Sequence, residues 1–399
     1  MAPWLSGSGI YTIRKMAEGP VRGQNGDVPD MTEITSAWAR RHMPRTRRAI
    51  ESLPAMAGVK LAMSMHLDMK MVPLVEGLVH RGAALFITTC NPATVRDDVV
   101  EAMRACGARV EAWKDMADKD WRAAVAAGLD WGPTHLSEMG ADYTHFLLTH
   151  DRPMPPVRAA LEATGSGINR LQWNLPPWPI FNWDDLPVKE GLHNRHMVGL
   201  TTWAAFLNRT LLSLHEKTVL VVGYGSVGQG LAASARAFGG MVQVAETDPA
   251  RILQARYDGW PTGSVDRLAP VADVIVTATG ARHVLPFEVI AGLKNGCILL
   301  NAGHRIDEME LGPLLELPAE ESLPSITTYR LGNGREVHLF VGGAMANLTA
   351  GEGDSLNAFD VTLAVMAEGV GHIVGEGERA VPGVHLLPRS VWERACPDP

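Results

Sequence analysis

The sequence predicts an α/β protein of two domains, each a doubly wound parallel sheet, with a hinged cleft between them. A chain of 399 residues has the length of two domains of roughly 150 to 200 residues. Short apolar runs alternate with helical patterns from Lys60 onward, and the alternation starts again at Thr218. Such alternation is typical of parallel sheets that helices cover on both faces.

Composition and charge exclude several classes of protein. No apolar run approaches the roughly 20 residues of a membrane-spanning helix, so we expect no membrane insertion. The net charge of −8 is spread along the chain without a basic block, which argues against nucleic-acid binding. The four cysteines lack CxxC spacing, zinc-binding patterns are absent, and the first residues do not resemble a signal peptide. We therefore predict a cytoplasmic protein without a metal ion, whose ligand is a small molecule.

The first domain is predicted over 32–195, after an N-terminal arm over 1–31. A basic helix over 34–53 opens it. The units that follow are strands at 60–65, 83–89 and 108–113 and helices at 72–81 and 95–106. Residues 171–187 carry Trp173, Trp178 and Trp183 among prolines, so we predict an aromatic-lined loop there.

The second domain is predicted over 196–355. A connecting helix over 194–214 leads into it. Its predicted strands are 218–222, 241–245, 274–279 and 297–301, and a helix is predicted at 229–238. The last segment, 356–399, contains a predicted helix at 356–373 and is expected to return to the first domain.

A glycine-rich loop at 223–228 (GYGSVG) lies between the first strand and the first helix of the second domain. In this context Gly223 permits a tight turn, Gly225 lets a pyrophosphate approach, and Gly228 allows close packing of helix and strand. Glu246 follows at the end of the next strand, where a carboxylate binds ribose hydroxyls and repels a 2′-phosphate. The pattern predicts a Rossmann domain that binds NAD rather than NADP. A glycine-rich turn without a ligand is the alternative.

Several segments resemble those of S-adenosylhomocysteine hydrolases, in the same order from about Glu33 to Pro388. They are 65–70 (MHLDMK), 90–92 (CNP), 96–98 (RDD), 221–230 (VVGYGSVGQG), 246–249 (ETDP), 277–280 (TATG), 301–304 (NAGH) and 383–388 (GVHLLP). The resemblance implies a substrate domain, a Rossmann NAD domain and a hinged cleft. It also implies a chemistry in which the 3′-hydroxyl of a nucleoside is oxidised to a ketone. The C4′ proton then becomes acidic, and its loss expels the C5′ substituent.

The resemblance implies four catalytic residues. Lys189 corresponds to a lysine that helps to remove the 3′-hydroxyl proton, and His66 to a histidine that acts as acid or base at C5′. Asn194 matches an asparagine near the nicotinamide, and His193 stands where the family has an aspartate. Without the resemblance, an exposed lysine and a core histidine remain the alternatives for Lys189 and His66.

The resemblance also implies a set of cofactor contacts on the glycine loop, the ribose-binding corner and the facing strand ends. These residues are Gly223, Gly225, Ser226, Val227, Gly228, Glu246, Arg251, Thr164, Thr277, Thr279, Asn301, Gly303, His304 and Asn347.

Departures from the family gather on the substrate side. Met139 replaces an aspartate of the proton relay, Ala163 replaces a glutamate that contacts the ribose hydroxyls, and Asp354 replaces a histidine near the purine. Lys70 stands where the family places an uncharged or acidic side chain at the adenine edge. The residues expected to bind substrate are Asp68, Lys70, Glu138, Met139, Glu162 and Asp354.

Three functions fit this mixture of kept and lost residues. We favour a divergent member that oxidises C3′ and eliminates water from C5′, resembling the nucleoside 5′-dehydratases of angustmycin-type antibiotic biosynthesis. A hydrolase of S-adenosylhomocysteine and a non-catalytic NAD-binding regulator are the alternatives. We expect a homodimer or homotetramer. The chain stops at Pro399 without the family's C-terminal extension toward a neighbour's cofactor, so cofactor retention and tetramer geometry are expected to differ.

Overall fold

The computed structural model describes residues 31–171 and 174–396. The predicted arm over 1–31 lies outside the described residues except for Met31, which begins the first helix. Trp173 of the predicted aromatic loop also lies outside them.

The strands are numbered in chain order. They are β1 (Lys60–Met65), β2 (Ala84–Thr89), β3 (Arg109–Val110), β4 (His135–Glu138), β5 (Ala159–Glu162), β6 (Pro179–Asn182), β7 (Thr218–Val222), β8 (Met241–Ala245), β9 (Thr262–Gly263), β10 (Val274–Thr277), β11 (Cys297–Asn301), β12 (Ala319–Leu323), β13 (Ile326–Arg330), β14 (Glu336–Phe340) and β15 (Gly383–Leu386).

The α-helices are numbered in the same way. They are α1 (Met31–His42), α2 (Pro44–Ser52), α3 (Val72–His80), α4 (Asp97–Ala105), α5 (Asp118–Asp130), α6 (Asp142–Thr149), α7 (Gly165–Leu171), α8 (Val198–Thr210), α9 (Ser226–Ala237), α10 (Pro249–Tyr257), α11 (Val265–Leu268), α12 (Phe287–Ala291), α13 (Gly312–Leu315), α14 (Ala346–Thr349), α15 (Leu356–Gly375) and α16 (Arg389–Trp392).

The first sheet is parallel throughout, in the order β15-β6-β5-β4-β1-β2-β3. Helices cover both faces of a parallel sheet, so its strands read as nearly continuous apolar runs. Strand β1 (KLAMSM) is an example, since every residue after Lys60 is buried. Strand β15 pairs with β6, so the last strand of the described chain belongs to this first sheet.

The second sheet has the order β12-β13-β14-β11-β10-β7-β8-β9. Strands β14 to β9 are parallel, which confirms the predicted α/β class and the second parallel sheet. Strands β12, β13 and β14 form an antiparallel extension that the sequence did not predict. The reason lies in β12, whose residues are all exposed and therefore lack a hydrophobic alternation.

Two predictions for the first domain, at residues 34–53 and 171–187, were wrong in detail. The basic helix over 34–53 is two helices, because Pro44 lacks the N–H that would continue α1 and instead starts α2. The predicted loop over 171–187 contains β6, whose short apolar pair Ile180 and Phe181 is hidden among prolines and tryptophans. Pro179 is tolerated as the first residue of that strand.

Helix α15, near the end of the chain, packs in the hydrophobic core of the first sheet. Its Asp360 accepts hydrogen bonds from the backbone N–H groups of Arg45 and Thr46 and so caps α2, whose own N-cap side chain makes no such bond. By length and composition α15 could cross a membrane, which the apolar runs in the sequence did not suggest. However, 61% of its most apolar window is buried inside the molecule.

A π-helix, Lys189–Met197, precedes α8 and replaces the start of the predicted connecting helix. Such wide turns are rare and occur mostly at functional sites. Helix α9 approaches it closely, since a Cβ atom on Gly230 would lie 1.9 Å from the carbonyl oxygen of Arg195. The side chains of the π-helix are thereby fixed beside the glycine loop that begins α9.

Candidate active site

A cavity of about 920 Å³ lies where the carboxyl ends of the strands of both sheets meet. Ligands of open α/β sheets bind at this edge. His66 and Met139 line it from the first sheet, directly after β1 and β4, and Gly223 and His304 line it from the second, after β7 and β11. The cavity is therefore the cleft that the sequence predicted.

The glycine loop makes a turn that only glycine can make. Gly223 has a φ of +96°, and a Cβ atom there would lie 2.7 Å from the carbonyl oxygen of Ala278. A Cβ atom on Gly228 would lie 2.0 Å from the carbonyl oxygen of Gly223. Gly225 precedes the first turn of α9, so the free N–H groups of that turn and the positive end of the helix dipole border the cavity.

Glu246 stands at the end of β8 and lines the same part of the cavity. Its carboxylate accepts hydrogen bonds from the backbone N–H groups of Tyr224, Thr247 and Asp248. Burial acts to raise the pKa of Glu246, but these donors and the nearby Arg251 outweigh it, so the pKa is lower than usual. A carboxylate held in this way stays ionised and repels a 2′-phosphate.

Two predicted cofactor residues lie behind the cavity wall. Thr277 and Asn301 are buried, and the hydroxyl of Thr277 bonds the side-chain oxygen of Asn301 at 3.2 Å. The amide nitrogen of Asn301 donates to the carbonyl oxygens of Arg305 and Gly343. Both residues shape the wall and do not line it.

Glu308 is a residue of this wall that sequence reasoning missed. Its buried carboxylate accepts from the N–H groups of Thr279 and Gly280 and from the Thr279 hydroxyl at 2.8 to 3.0 Å. A Cβ atom on Gly303 would lie 1.7 Å from it. Nothing in the local pattern of the sequence distinguishes Glu308 from a surface acid, because its partners are 28 and 29 residues away.

Gly228 also lies behind the wall, packed against the backbone of Gly223, and the remaining predicted cofactor residues line the cavity. They are Gly223, Gly225, Ser226, Val227, Glu246, Arg251, Thr164, Thr279, Gly303, His304 and Asn347. Asn347 is buried, and its side-chain oxygen has no hydrogen-bond partner among the described residues. An unpaired amide oxygen on a cavity wall is suited to a ligand that brings its own donor.

Lys189 and Asn194 lie on one side of the π-helix and face the cavity. The Lys189 ammonium donates to the Asn194 side-chain oxygen at 3.0 Å and lies 5.9 Å from the centre of the Trp183 ring. Burial lowers the pKa of Lys189, while Asp184 and Asp354 act to raise it. A lysine with a lowered pKa is a usable base near neutral pH.

His66 lies across the cavity and is held in one tautomer. Its Nδ1 is 2.9 Å from the hydroxyl oxygen of Thr94, and that hydroxyl donates its own proton to the carbonyl oxygen of Asn91. Nδ1 must therefore be the donor, which leaves the lone pair of His66 on Nε2. Burial, with His304 and Lys189 nearby, lowers the pKa of His66 to about 3. At neutral pH His66 is a neutral base.

His304 approaches from the second sheet. Its ring centre is 6.3 Å from that of His66, and a Cβ atom on Gly140 would lie 3.6 Å from its Nε2. Burial lowers the pKa of His304 to about 4, with Arg170 and Arg305 adding to the effect. The two imidazoles meet across the cleft without charge.

His193 and Asp354 form a buried contact in the cavity wall. Nδ1 of His193 is 3.1 Å from the carboxylate of Asp354, but the geometry is not that of a hydrogen bond. Burial, followed by the charges of Lys189 and Lys70, lowers the pKa of His193 well below its ordinary value. The histidine is therefore neutral, and its contact with Asp354 is not an ion pair. Asp354 also accepts from the Thr201 hydroxyl at 3.1 Å.

Lys70 is buried in the same region. Its ammonium lies 3.2 Å from the carboxylate of Asp68 and donates to the carbonyl oxygen of Glu352 at 2.8 Å. It also lies 5.8 Å from the centre of the Phe359 ring. Asp68, Lys70 and Asp354, which the sequence predicts as substrate contacts, all line the cavity.

The structure places two predicted substrate residues elsewhere. Glu138 accepts from the N–H and hydroxyl groups of Thr144. Glu162 accepts from the N–H groups of Gly140 and Ala141 and from Thr164. Both carboxyl groups are buried and do not line the cavity, since their oxygens are taken up by neighbouring loops. They hold the strand ends, and Met139 and Ala163 beside them line the cavity instead.

Two ranges of the chain match models of one known protein family. Residues 34–164 match the model of the S-adenosyl-L-homocysteine hydrolase family, and residues 205–353 match that of its NAD binding domain. The chain belongs to the S-adenosyl-L-homocysteine hydrolase family.

Relatives named within this family match most of the chain. S-inosyl-L-homocysteine hydrolase of Methanopyrus kandleri is 34% identical, over 97% of this chain and 92% of its own. Adenosylhomocysteinases of Pyrococcus abyssi and Thermotoga maritima are 33% and 32% identical, over 89% and 91% of this chain and 87% and 93% of theirs.

Family membership identifies NAD as the cofactor, and the cavity fits it. The cradle at Gly223 and Gly228 has no space for a Cβ atom, Glu246 is ionised, and Asn347 offers an unpaired oxygen. The residues that would hold NAD are thus arranged around one cavity. The protein is an NAD-dependent enzyme of this hydrolase family.

Proposed function

We propose that this enzyme dehydrates a nucleoside: it oxidises C3′, removes the C4′ proton and expels the 5′-hydroxyl as water, which leaves a 4′,5′-unsaturated sugar. The observation that carries the proposal is the position of Met139. The resemblance puts an aspartate of the hydrolase proton relay at this position. Here a buried thioether lines the cavity, and it can neither accept a proton nor activate water.

Bound NAD would supply the hydride acceptor for the oxidation of C3′ and the hydride donor for the final reduction. Lys189 takes the 3′-hydroxyl proton in the first step, because burial lowers its pKa toward the working range. Asn194 accepts a hydrogen bond from the same ammonium group and orients it. Trp183, beside the lysine, is buried and keeps water away from that face.

His66 is proposed to carry the elimination alone. Its free Nε2 takes the C4′ proton, and the electron pair of that C–H bond forms the C4′–C5′ double bond as the C5′–O bond breaks. The imidazolium that results is a strong acid, because burial lowers the pKa of His66 to about 3. It passes the proton to the departing hydroxyl, which leaves as water. The histidine returns to its neutral form, and the net change is the loss of one water molecule.

The reverse addition of water would have to use His66 as its base, because Met139 and Ala163 replace the relay and ribose-binding carboxylates of the family. Of the acids that line this end of the cavity, Asp68 pairs with Lys70, and Asp354 contacts Thr201 and His193. A water molecule beside the double bond would face Met139 and Ala163, which offer no acceptor. Reduction of the C3′ ketone removes the carbonyl that makes the double bond reactive toward water, so the elimination product is expected to accumulate once that reduction is faster than re-addition.

The names of the relatives favour a second candidate, hydrolysis of an S-nucleosylhomocysteine. Mass spectrometry separates the two. The purified enzyme with NAD is offered S-adenosylhomocysteine, adenosine and the ketohexose nucleoside psicofuranine in parallel. We expect the mass of one water to be lost from a nucleoside with a free hydroxyl.

Release of adenosine from S-adenosylhomocysteine, with no change in the hydroxyl-bearing nucleosides, would establish the hydrolase instead. A Lys189→Ala control shows that any product depends on this site. Binding of NAD without turnover of any of the three would favour the regulator.

A further inference from the structure

Asp184 is a carboxylate of the cavity wall that none of the steps above uses. We propose that Asp184 is a positioning residue for Lys189: it holds the amine in place and stabilises the ammonium group that forms when Lys189 takes the 3′-hydroxyl proton. This inference rests on the proposed role of Lys189 as the base.

The fold places Asp184 opposite the lysine. It follows β6 at its carboxyl end, where its N–H donates to the side-chain oxygen of Asn182 at 2.9 Å. Its carboxylate packs against Gly165, where an added Cβ atom would lie 3.2 Å away, and the Gly165 N–H bonds it. Asn194 lies beside both partners: its side-chain oxygen accepts from Lys189 at 3.0 Å, and its side chain acts to lower the pKa of the Asp184 carboxyl group. The base, the amide and the carboxylate all line the same cavity.

The charges around Lys189 make Asp184 its main counter-charge. The titratable groups that face the lysine are Asp184, Asp354, His66, His193 and His304. The histidines are neutral, because burial lowers the pKa of each. Asp354 is shared with a second lysine, Lys70, whereas the cation that acts on Asp184 within residues 31–171 and 174–396 is Lys189.

The proposed role leaves the proton on Lys189 during oxidation of C3′. The O–H bond of the 3′-hydroxyl breaks, the proton bonds to Nζ, and Asp184 keeps its negative charge throughout. A carboxylate beside a buried base acts in the same way in serine proteases, where it orients the base and stabilises its cation without becoming protonated. Burial lowers the pKa of Lys189, and Asp184 opposes that lowering, so the lysine keeps more of its basicity.

The test compares Asp184→Asn with Asp185→Asn. Asparagine keeps the shape of the side chain and removes the charge. Asp185 is the matched control, because it is exposed, accepts from the amide of Asn182 and does not act on Lys189. The readout is the rate of acetylation of Lys189 by acetic anhydride as a function of pH, measured on the peptide by mass spectrometry with NAD present and substrate absent.

We expect the pH midpoint of Lys189 acetylation to fall by about one unit or more in Asp184→Asn, since Asp184 is the largest contributor among the groups that raise the pKa of Lys189 and a nearby opposite charge shifts a pKa by that order. The midpoint in Asp185→Asn should match that of the wild type. Because acetylation needs no substrate, the result does not depend on which reaction the enzyme catalyses. An unchanged midpoint in a folded Asp184→Asn protein would overturn the proposal.

Two further readouts keep the inference testable. In the dehydration assay, kcat should fall about tenfold or more in Asp184→Asn, with its pH profile displaced to lower pH and KM little changed. If Asp184→Asn fails to fold, Asp184→Glu retains the charge, and Lys189 should then acetylate with a midpoint near that of the wild type. A midpoint in Asp184→Glu that lies about one pH unit or more below that of the wild type would contradict the role of the charge.

Discussion

The two sides of the cleft are built in different ways. On the cofactor side, backbone groups make the site: Gly223 and Gly228 set the turn, and Glu246 is held by three backbone N–H groups. On the substrate side, buried side chains from distant segments make it, such as Lys189 and His66, which are 123 positions apart in the sequence. A backbone site is tolerant of side-chain change but sensitive to glycine replacement, and a side-chain site behaves in the opposite way.

The largest effect is expected from removing the base on the substrate side. Lys189→Ala should lower the rate of C3′ oxidation about 10³-fold, the typical contribution of a positioned general base, while NAD affinity stays close to that of the wild type. Single-turnover absorbance of the reduced cofactor measures the first quantity and calorimetric titration the second. The exposed Lys119→Ala serves as control. Loss of NAD binding together with activity would show that the two sides are not separable.

The converse variant acts on the cofactor side. Gly228→Ala should weaken NAD binding about 10²-fold or prevent it, because the new Cβ atom would lie 2.0 Å from the carbonyl oxygen of Gly223 and the turn must open. Gly332→Ala is the matched control, since nothing lies within 4 Å of a Cβ atom there. Calorimetric titration with NAD gives the comparison. Wild-type affinity in Gly228→Ala would mean that the turn does not hold the cofactor.

A smaller effect is expected from returning a carboxylate to the substrate side. In water enriched in heavy oxygen, Met139→Asp should raise the heavy oxygen in the recovered nucleoside about tenfold above the wild-type background, because a second base can then activate water beside the double bond. The site is buried, so this gain should grow with pH as the new acid ionises. Met139→Leu keeps an apolar side chain and should leave the product unchanged. If Met139→Asp and Met139→Leu return the same amount of water to the nucleoside, the explanation given for Met139 is wrong.

The cofactor side of the cleft and most of the strands can be predicted from the sequence, because short contiguous patterns determine them. The glycine loop, β7 and Glu246 lie within about 30 residues of each other, and a contiguous pattern with a fixed physical reason is enough to predict their arrangement. The strand alternation predicts both parallel sheets. The exposed strand β12 and the proline-rich β6 escape it, because neither shows the apolar periodicity on which the prediction rests.

The substrate side is harder to predict, because burial and long-range partners decide what each acid does. Glu138 and Glu162 directly precede the cavity residues Met139 and Ala163 in the sequence. Their own side-chain oxygens, however, accept hydrogen bonds from neighbouring loops. Asp184 and Glu308 look like ordinary acids until the fold surrounds them. The contact of His193 with Asp354 joins residues 161 positions apart.

The smallest expected effect concerns stability and the neutral histidines of the cleft. The pKa of His304 is about 4 in the folded protein and near 6.5 when unfolded, so its contribution to stability is present above pH 6.5 and is lost as pH falls toward 4. Between pH 7.5 and 5.5 the wild type should lose about 1.4 kcal/mol more than His304→Gln. Urea unfolding at both pH values measures this, with the exposed His80→Gln as control. Equal losses in all three proteins would indicate that His304 is charged in the cleft.

The central claim is that this cleft eliminates water from C5′ and does not add it back. The most direct test runs the reaction with NAD and a nucleoside that bears a free 5′-hydroxyl, in water enriched in the heavy isotope of oxygen, and follows both substrate and product by mass spectrometry. The account predicts a product lighter by one water molecule, with no heavy oxygen in the product or in the remaining substrate. Heavy oxygen at C5′ would show that water adds across the double bond, as in a hydrolase, and would contradict the account.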